Sequence, residues 1–223
     1  MSVYYQDDYV TLFHGDCLEQ TEWLDADVLV TDPPYGIAWQ AGGLNDKASV
    51  RAEAVQSIVA DEDTTVRDNM LELWGDRPSV VFGSWRKPLK WMPNHRLIWH
   101  KSNRQPGITS AAFYPIDEEI WLTGSGWQGK PPLASIITTN EHRGIQPKLI
   151  GHPTPKPIGL METLISRCPD GVIGDPFAGS GATLIAARNL GRKAIGVELE
   201  EKYCEIIASR LANQTFDFSQ LEN

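Results

Sequence analysis

Short apolar runs of strand length recur along the chain, separated by segments with a helical pattern. Five of these runs are predicted strands: residues 27–31, 79–84, 95–101, 170–175 and 193–199. Strands that alternate with helices are typical of a parallel sheet covered on both faces. EEIWLTG, residues 118–124, is predicted as a later, antiparallel strand. We therefore expect an α/β fold with a doubly wound, mostly parallel sheet that includes an antiparallel edge strand.

The charge distribution adds a candidate surface to this picture. The net charge is −9, yet residues 1–76 hold 16 acidic and 3 basic side chains, whereas residues 77–156 hold 11 basic and 4 acidic ones. Within the second region, residues 84–104 carry six Lys or Arg and three Trp without an acidic residue. Basic residues interleaved with aromatic ones suit phosphate contact and base stacking. A solvated face over core tryptophans explains the same run equally well.

Composition also bears on location and on metal chemistry. No apolar run approaches the length of a membrane span, and the first residues lack the order of a signal peptide. We expect a cytoplasmic protein, from a bacterial, archaeal or phage-infected cell, with no membrane partner. Cys17, Cys168 and Cys204 are widely separated in the sequence. We therefore predict three reduced thiols and no metal site.

Residues 171–211 form the most complete unit in the sequence. VIGD is predicted as a buried strand, PFAGSG as a turn that needs glycine conformations, and ATLIAARNL as a helix that ends at Gly191. Such a turn lets a ligand approach the backbone, and an acidic residue about 20 positions later can accept hydrogen bonds from a ribose. Glu198 lies 23 positions after Asp175, which fits a nucleoside-containing cofactor. A plain tight turn is the alternative, because the dinucleotide and Walker fingerprints are absent.

The stretch TDPPYG, residues 31–36, interrupts a predicted strand at its end. Pro34 restricts Pro33 to extended conformations, and neither proline has an amide proton, so their carbonyls are left to accept from a ligand. Asp32 adds a carboxylate acceptor, and Tyr35 adds a flat ring that can stack on a planar molecule. Adenine and cytosine, which are planar and carry an exposed amino group, fit this description. A proline-rich loop with a helix-capping aspartate is the alternative.

Taken together, four stretches resemble the motifs of the S-adenosylmethionine-dependent DNA amino-methyltransferases: HGDCLE (14–19), TDPPYG (31–36), GHPTPKP (151–157) and DPFAGSG (175–181). Their order is similar to that of the permuted β class, in which the DPPY-type motif precedes the cofactor motif. Asp32 lies 143 residues before Asp175. The resemblance covers most of the chain and implies a Rossmann-like fold with the permuted methyltransferase topology.

The resemblance also implies S-adenosylmethionine as the cofactor and a role for each matching residue. Glu198 would hold the ribose, and the loop residues that would cradle the cofactor are Asp175, Phe177, Ala178, Gly179, Ser180 and Gly181. Asp16 and the backbone of Cys17 would lie against the cofactor's adenine, while Thr154 and Lys156 would contact its methionine carboxylate. The chain departs from the family at two positions, since Pro155 stands where Gln is usual and Ala182 where Thr-like residues are common.

The catalytic residues that the resemblance implies are Asp32, Pro33, Pro34 and Tyr35. A base inside a duplex is out of reach, so it would be flipped into the pocket and stack on Tyr35. Asp32 and the Pro33 carbonyl would hold its amino group, oppose delocalisation of the nitrogen lone pair and stabilise the growing positive charge. Methyl transfer is then direct and requires no metal. No cysteine follows a proline, which argues against cytosine-C5 chemistry.

With Asp as the first residue of its DPPY sequence, this motif resembles that of the adenine-N6 enzymes. Serine at that position is more typical of the cytosine-N4 enzymes. We expect a site-specific DNA methyltransferase that acts on adenine N6, with cytosine N4 as the alternative. Methylation of RNA adenine or of protein glutamine, and a non-catalytic subunit that binds the cofactor or DNA, are further alternatives. The motif order favours DNA over RNA and protein, and the intact DPPY sequence favours an enzyme.

We predict one domain over residues 1–223, because this length can bury a core. Its predicted parts are a catalytic half (1–123), a loop or small target-recognition element (124–150), a cofactor-binding half (151–212) and a tail (213–223). The partner is double-stranded DNA, and the candidate phosphate contacts are Arg86, Lys87, Lys101 and Arg104. Few residues are left to contact base edges, so we expect a short target site, a homodimer or weak specificity.

Overall fold

The computed structural model describes residues 3–37, 61–102, 113, 115–140, 152 and 154–213. The strands in these ranges are β1 (Val3–Gln6), β2 (Val10–His14), β3 (Val28–Thr31), β4 (Ser79–Gly83), β5 (His95–Lys101), β6 (Asp117–Thr123), β7 (Ile136–Thr139), β8 (Ile173–Asp175) and β9 (Ala194–Glu198). The α-helices are α1 (Thr65–Trp74), α2 (Ile158–Ile165), α3 (Ala182–Asn189) and α4 (Glu201–Ala212). A short 3₁₀ helix, Glu22–Asp25, precedes β3.

The strands form one mixed sheet in the order β1-β2-β9-β8-β3-β4-β6-β5-β7. Strands β2, β9, β8, β3 and β4 are mutually parallel. Strand β6 is antiparallel to both of its neighbours, and β1 is antiparallel to β2 at one edge. Strand β7 closes the other edge, parallel to β5.

Successive residues of the central strands face opposite sides of the sheet and bury two separate apolar clusters. In β3, Val28 and Val30 join one cluster, while Leu29 between them joins the other. Helices α2, α3 and α4 cover the first face, and α1 with the 3₁₀ helix covers the second. Because a strand has a period of two residues, a central strand with helices on both sides must be apolar at every position. This explains the continuous apolar runs in the sequence.

The chain leaves the centre of the sheet in opposite directions from β3 and β8, which are neighbours. From β3 it passes through α1 to β4, and from β8 it passes through α3 to β9 on the other side. In open α/β sheets the crevice at such a reversal point, beside the carboxyl ends of the strands, is the usual ligand site. Strand β6 runs the other way, so its first residues lie at this same edge of the sheet.

The structure confirms the five predicted parallel strands and the antiparallel strand in residues 118–124. That strand lies inside the sheet, between β4 and β5, and the antiparallel edge strand is β1. The sequence reading missed β1, β2 and β7. Strand β7 lies within residues 124–150, which were predicted as a loop or recognition element, so part of that segment extends the sheet. Four-residue strands such as β1 and β7 give little periodic signal.

Two smaller predictions can be compared with the structure directly. All three cysteines are free and buried, and burial raises the pKa of the Cys17 and Cys168 thiols to about 12. Of the helices in the described ranges, none is long and apolar enough to cross a membrane. Except for Asn213, which follows α4, the predicted tail lies outside the described residues.

Candidate functional site

The TDPPYG motif begins where β3 ends, at the reversal point of the sheet. Thr31 is the last residue of β3 and is fully buried, whereas the side chain of Asp32 is 24% exposed. The far end of the motif is held by the backbone N–H of Gly36, which donates to the buried carboxylate of Asp61 at 2.6 Å. Gly36 has a φ of +69°, and a Cβ at this position would lie 2.7 Å from the backbone of Asp63. Only glycine fits this position without strain.

Within the motif, the carbonyls of Pro33 and Pro34 accept no hydrogen bond from any described residue. This agrees with the expectation that the double proline presents carbonyl acceptors, since neither residue can take part in a ladder through an N–H group.

Four charged side chains and one phenol converge beside this motif. The Tyr35 hydroxyl lies 2.8 Å from Asp32 Oδ1 and 2.9 Å from Glu118 Oε2. Lys156 Nζ forms an ion pair with Asp32 Oδ2 and lies 3.4 Å from Glu118 Oε2. Lys101 forms a further ion pair with Glu118 Oε1. The two carboxylates and two ammonium groups balance, which reduces the cost of burying each of them.

Aromatic rings surround the Lys156 ammonium group. Its Nζ lies 5.1 Å from the Phe82 ring centroid, 5.7 Å from that of Tyr35 and 5.9 Å from that of Trp99. The faces of aromatic rings attract cations at such distances. Lys156 therefore fills a pocket with two acidic groups and several flat rings, which are also the features that would bind the amino group of a planar base.

The two carboxylates of this cluster differ in their ionisation. Burial opposes the ionisation of Glu118, but Lys156 and Lys101 outweigh it and lower the pKa of Glu118 to about 2. Burial also raises the pKa of Asp32, and Lys156 offsets this only in part because Glu118 repels the same charge. Glu118 is therefore the permanent anion of the pair, and Asp32 is the carboxylate that takes up a proton more readily.

The predicted cofactor loop connects β8 to α3 and is built on left-handed glycines. Gly179 has a φ of +52° and Gly181 a φ of +80°. A Cβ on Gly179 would lie 3.1 Å from the His152 ring, and one on Gly181 would lie 2.9 Å from Ile207. Ala178 and Ser180 are buried, and Phe177 packs on the second apolar cluster. The loop is therefore a close-packed turn that places backbone groups at the start of α3.

Asp175, predicted to touch the cofactor, is 2% exposed and its contacts are internal. Its Oδ1 accepts from the Thr31 hydroxyl at 2.7 Å and from the Phe177 N–H at 3.2 Å. These bonds connect the end of β3 to the predicted cofactor loop. Burial raises the pKa of Asp175 to about 6. The structure places Asp175 as the link between the two motifs rather than as an exposed acceptor.

Glu198 ends β9 and receives two backbone donors. Its Oε2 accepts from the Gly179 N–H at 2.7 Å and its Oε1 from the Glu200 N–H at 2.8 Å. Burial is the main cause that raises the pKa of Glu198 to about 7. Each carboxylate oxygen has two lone pairs, so both oxygens can accept one more hydrogen bond. The group therefore fits the predicted contact with ribose hydroxyls.

The HGDC segment lies beside Glu198, because β2 and β9 pair with His14 opposite Glu198. The Asp16 carboxylate accepts from the Leu18 N–H at 2.8 Å and so shapes its own turn. Cys17 is buried, and its carbonyl accepts from the Trp23 indole at 2.8 Å. The segment is near the predicted cofactor site, although the Cys17 carbonyl is already occupied.

The HPTPKP segment reaches both motifs. The His152 ring packs against Tyr203, with 4.6 Å between the ring centroids, and lies beside Gly179. Burial lowers the pKa of His152 to about 4, so it is neutral at pH 7. Thr154 is half-buried and its N–H donates to His152 Nδ1 at 3.3 Å. Lys156, predicted to face the cofactor, instead contacts Asp32 and Glu118.

The predicted phosphate contacts are not all on the surface. Arg86 and Lys87 are exposed in the segment after β4. Lys101 is only 6% exposed because it pairs with Glu118, so its prediction as a phosphate contact is wrong. Arg104 lies outside the described residues. Of the tryptophans in residues 84–104, Trp99 belongs to the core, whereas Trp85 is 68% exposed.

Sequence reasoning missed Glu118 and Asp61, which hold the two ends of the catalytic motif. Glu118 had a signal, because it begins a strand that was predicted to be antiparallel. Since an antiparallel strand starts where its parallel neighbours end, its first residues lie at the ligand edge of the sheet. For Asp61 the sequence has no comparable signal, because it approaches Gly36 only in the folded chain.

Acceptors at the end of one central strand beside a glycine loop at the end of its neighbour define the class of open α/β proteins with a ligand site at the reversal point of the sheet. Comparison with known proteins identifies the family. Residues 128–209 match the family model N6_N4_Mtase, described as DNA methylase. YubD of Escherichia coli (strain K12), whose name describes it as a methylase, is 46% identical over 217 residues, which cover 89% of this chain and 88% of YubD. The chain belongs to the S-adenosylmethionine-dependent DNA amino-methyltransferase family.

Solved structures support the fold. The DNA methyltransferase PvuII, described as cytosine-N4-specific, matches with a TM-score of 0.66 and 16% identity, over 98% of this chain and 92% of that protein. The complex of M1.HpyAVI with SAM matches with a TM-score of 0.61 and 21% identity, over 90% of this chain and 99% of that protein. The observed sheet and its covering helices are therefore the methyltransferase fold.

Proposed function

We propose that this protein transfers a methyl group from S-adenosylmethionine to the N6 amino group of adenine in DNA. The observation that carries the proposal is the position of two sites side by side. The acceptor motif ends β3, the glycine loop follows β8, and the Thr31 to Asp175 hydrogen bond of 2.7 Å joins them. A methyl donor in one site and an amine in the other are then adjacent, which is the main requirement of a direct transfer.

In this proposal the DPPY residues bind the base. The duplex would present the base only after flipping, which costs a few kcal/mol of unstacking. Tyr35 supplies a half-buried ring for stacking, while Asp32 and the Pro33 carbonyl supply the two acceptors for the amino protons. Both acceptors stabilise the positive charge that grows on nitrogen during transfer, and this differential stabilisation lowers the barrier.

The residues proposed to hold the cofactor come from three segments of the chain. S-adenosylmethionine supplies the methyl group on a sulfonium centre. Glu198 would accept from the ribose hydroxyls, Asp16 and Cys17 would lie near the adenine, and Thr154 would lie near the methionine part. The glycine loop, Phe177–Gly181, would line the cofactor site. Asp175 and Glu198 hold this loop by accepting hydrogen bonds from its N–H groups. Lys156 is a proposed partner of the methionine carboxylate if it leaves Asp32.

We propose adenine rather than cytosine as the target base because the DPPY sequence begins with Asp32, where Ser would be more typical of cytosine-N4 enzymes. The PvuII enzyme, which shares the fold, is described as cytosine-N4-specific. Cytosine N4 is therefore the second candidate, and it would use the same acceptors on the same kind of amine.

The surface proposed to meet the DNA phosphates lies after β4. Arg86 and Lys87 are exposed, and the Arg86 guanidinium lies 5.6 Å from the Trp85 ring centroid. An exposed aromatic ring with two basic neighbours suits contact with phosphates and bases. This segment starts from the same edge of the sheet as the DPPY motif, since β3 and β4 are parallel neighbours.

The test is to incubate the protein with mixed-sequence duplex DNA and isotopically labelled S-adenosylmethionine, digest the DNA to nucleosides and identify the labelled species by mass spectrometry. We expect labelled N6-methyladenine. Asp32→Ala should reduce the rate by about 10²- to 10³-fold, as expected for the loss of a group that stabilises transition-state charge. The matched control is Asp76→Ala, because Asp76 is exposed and remote from the site.

The other outcomes separate the alternatives. Label in N4-methylcytosine would keep the mechanism and replace the substrate. Absence of label in DNA, with cofactor binding shown by equilibrium dialysis, would overturn the proposal and direct the assay to RNA or protein. An unaltered rate for Asp32→Ala would refute the assigned chemistry.

A further inference from the structure

Glu118 is a partly buried acidic residue with no role in the proposed transfer, yet it contacts Tyr35, Lys101 and Lys156. It lies at the start of β6, 83 residues after Tyr35 in the chain. Its carboxylate meets the Tyr35 hydroxyl at 2.9 Å, Lys156 at 3.4 Å and Lys101 in an ion pair. Its side chain is 20% exposed.

The Tyr35 hydroxyl stands between two carboxylates but has one proton. It lies 2.8 Å from Asp32 Oδ1 and 2.9 Å from Glu118 Oε2, so both contacts are hydrogen bonds only if one carboxylate is itself protonated. Glu118 stays ionised because two lysines contact it. While Asp32 is ionised, the single phenol proton can serve only one carboxylate at a time. Once Asp32 is protonated, both contacts become hydrogen bonds, with Tyr35 donating to Glu118 and Asp32 donating to the Tyr35 oxygen.

We infer that Glu118 is a positioning residue for Asp32 and acts through the Tyr35 hydroxyl. By accepting the phenol proton, it leaves the Tyr35 oxygen free to accept from Asp32 once Asp32 carries a proton. This inference rests on the proposed function, since methyl transfer is the step that delivers that proton.

In the proposed transfer, the lone pair of the target amine forms a bond to the methyl carbon, and the electron pair of the broken carbon–sulfur bond stays on sulfur. The nitrogen then carries the positive charge and one proton too many. That proton passes to the Asp32 carboxylate, which becomes a neutral acid hydrogen-bonded to the Tyr35 oxygen, while Tyr35 keeps its own proton toward Glu118.

Other charged groups also act on Asp32. Lys156 pairs with it directly, Asp175 interacts with it electrostatically, Lys101 lies beyond Glu118, and His152 lies beyond Lys156. The negative charge of Glu118 raises the pKa of Asp32. Replacement by glutamine removes that charge but keeps the size of the side chain, so the pKa of Asp32 should fall. Replacement of a residue with a purely structural role would leave the pKa of Asp32 unchanged.

The first experiment measures the effect of Glu118 on the pKa of Asp32, without cofactor or DNA. The carboxyl carbons of aspartate are labelled with carbon-13, Asp32 is assigned by comparison with Asp32→Asn, and its titration is followed by NMR. We expect Glu118→Gln to shift the Asp32 titration to lower pH by about one unit, the scale of a nearby like charge. The matched control is Glu119→Gln, because Glu119 is also buried but pairs with Arg96 on the other face of the strand.

The second experiment measures methyl transfer as a function of pH at saturating substrates. Glu118→Gln should lower kcat by about tenfold, part of the 10²–10⁴ that a general base contributes, and should move the acid limb of the kcat profile to lower pH. Tyr35→Phe, which keeps the ring, should also lower kcat. The double variant should lose clearly less than the product of the two single losses, because both substitutions remove the same Tyr35–Glu118 hydrogen bond.

The outcomes distinguish this inference from the proposed function. If the unmodified protein transfers no methyl group but the Asp32 titration shifts in Glu118→Gln, the proposed function fails and the coupling stands. If transfer occurs but neither the titration nor the acid limb shifts, the inference is overturned. Multiplicative losses in the double variant would overturn it as well. Should Glu118→Gln not fold, Tyr35→Phe alone decides, and an unchanged kcat refutes the role.

Discussion

The carboxylates at the two sides of the ligand edge are held by different kinds of partner. On the cofactor side, Glu198 and Asp175 accept from backbone N–H groups and hydroxyls, and the pKa of each is raised, to about 7 and about 6. On the catalytic side, Asp32 and Glu118 pair with lysines, and the pKa of Glu118 is lowered to about 2. Backbone donors are fixed by the fold, whereas lysine side chains can rotate away.

This difference suits the two tasks. A site that binds the same cofactor in every cycle gains from donors that never move, because no reorganisation is needed. In the proposed function, a site that must admit a base needs a partner that can leave, and Lys156 is the candidate for this role. Its ammonium group now contacts the Asp32 carboxylate that the target amine would contact. The lysine therefore compensates buried charge, and it contacts Asp32 and Glu118 through its side chain alone.

The largest expected effect comes from removing Lys156, the lysine that pairs with Asp32. Lys156→Met should lower the free energy of unfolding by about 3 to 4 kcal/mol, because Asp32 would lose its lysine partner and, of the described residues, Lys101 alone would still pair with Glu118. Chemical denaturation at pH 7 measures it. Lys90→Met is the matched control, since Lys90 also pairs with two acids but is 57% exposed, and its cost should stay within about 0.5 kcal/mol. Equal costs for the two variants would contradict the comparison.

A second prediction concerns the backbone-held side and its pH dependence. The pKa of Glu198 is about 7 in the folded protein, whereas the ordinary pKa of a glutamate side chain is 4.5. Between these values the folded state binds more protons than the unfolded state, so this group's contribution to stability is complete below about pH 4.5 and is lost as the pH rises to about 7. The loss is up to about 3 kcal/mol. Glu198→Gln should abolish this part of the pH dependence.

The measurement is the free energy of unfolding from pH 4.5 to 8 for the unmodified protein and for Glu198→Gln. The stability difference between them should change in favour of the variant as the pH rises. Glu205→Gln is the control, because Glu205 lies exposed on α4 and should leave the pH dependence unchanged. If the stability difference between the two proteins did not change with pH, burial would not raise the pKa of Glu198.

The smallest expected effect tests the fixed loop itself. Gly181→Ala should cost about 2 kcal/mol, because the position has a φ of +80° and the new methyl group would lie 2.9 Å from Ile207. Gly191→Ala should cost about 1 kcal/mol, since its φ of +68° is similar but no heavy atom lies within 4 Å. Thermal unfolding gives both values, and calorimetric titration with S-adenosylmethionine should show weaker binding for Gly181→Ala alone. Equal behaviour of the two variants would argue against a close-packed cofactor loop.

Local patterns in the sequence were sufficient to predict most of the framework. The apolar runs predicted β3, β4, β8 and β9 because strands covered on both faces are mostly apolar along their length. Strand β5 was predicted from the short run LIW, residues 97–99, although His95 and Arg96 before it are exposed. The glycine loop and the double proline were also identified, since glycine and proline restrict the backbone wherever they occur. Edge strands β1 and β7 were missed because half of their surface is exposed and their pattern is short.

Contacts between distant segments could not be read in the same way. The sequence indicated that Lys101 was a surface cation and that Lys156 faced the cofactor, yet both lysines lie against Glu118. Their environment depends on β5, β6 and the HPTPKP segment meeting at one edge of the sheet, and a charge in sequence carries no information about which opposite charge will lie beside it.

The sequence by itself therefore determined the class of fold and the two motifs, because these depend on periodicity and on backbone restrictions within short segments. It indicated the family through the resemblance of four short motifs, in their order, to known methyltransferases. The tertiary structure alone decided that Asp175 links the motifs through Thr31 and that Glu118 joins Tyr35 and two lysines to the catalytic aspartate. The physical reason is that ionisation and hydrogen bonding depend on burial and on neighbours within a few ångströms, and long-range folding brings those neighbours together.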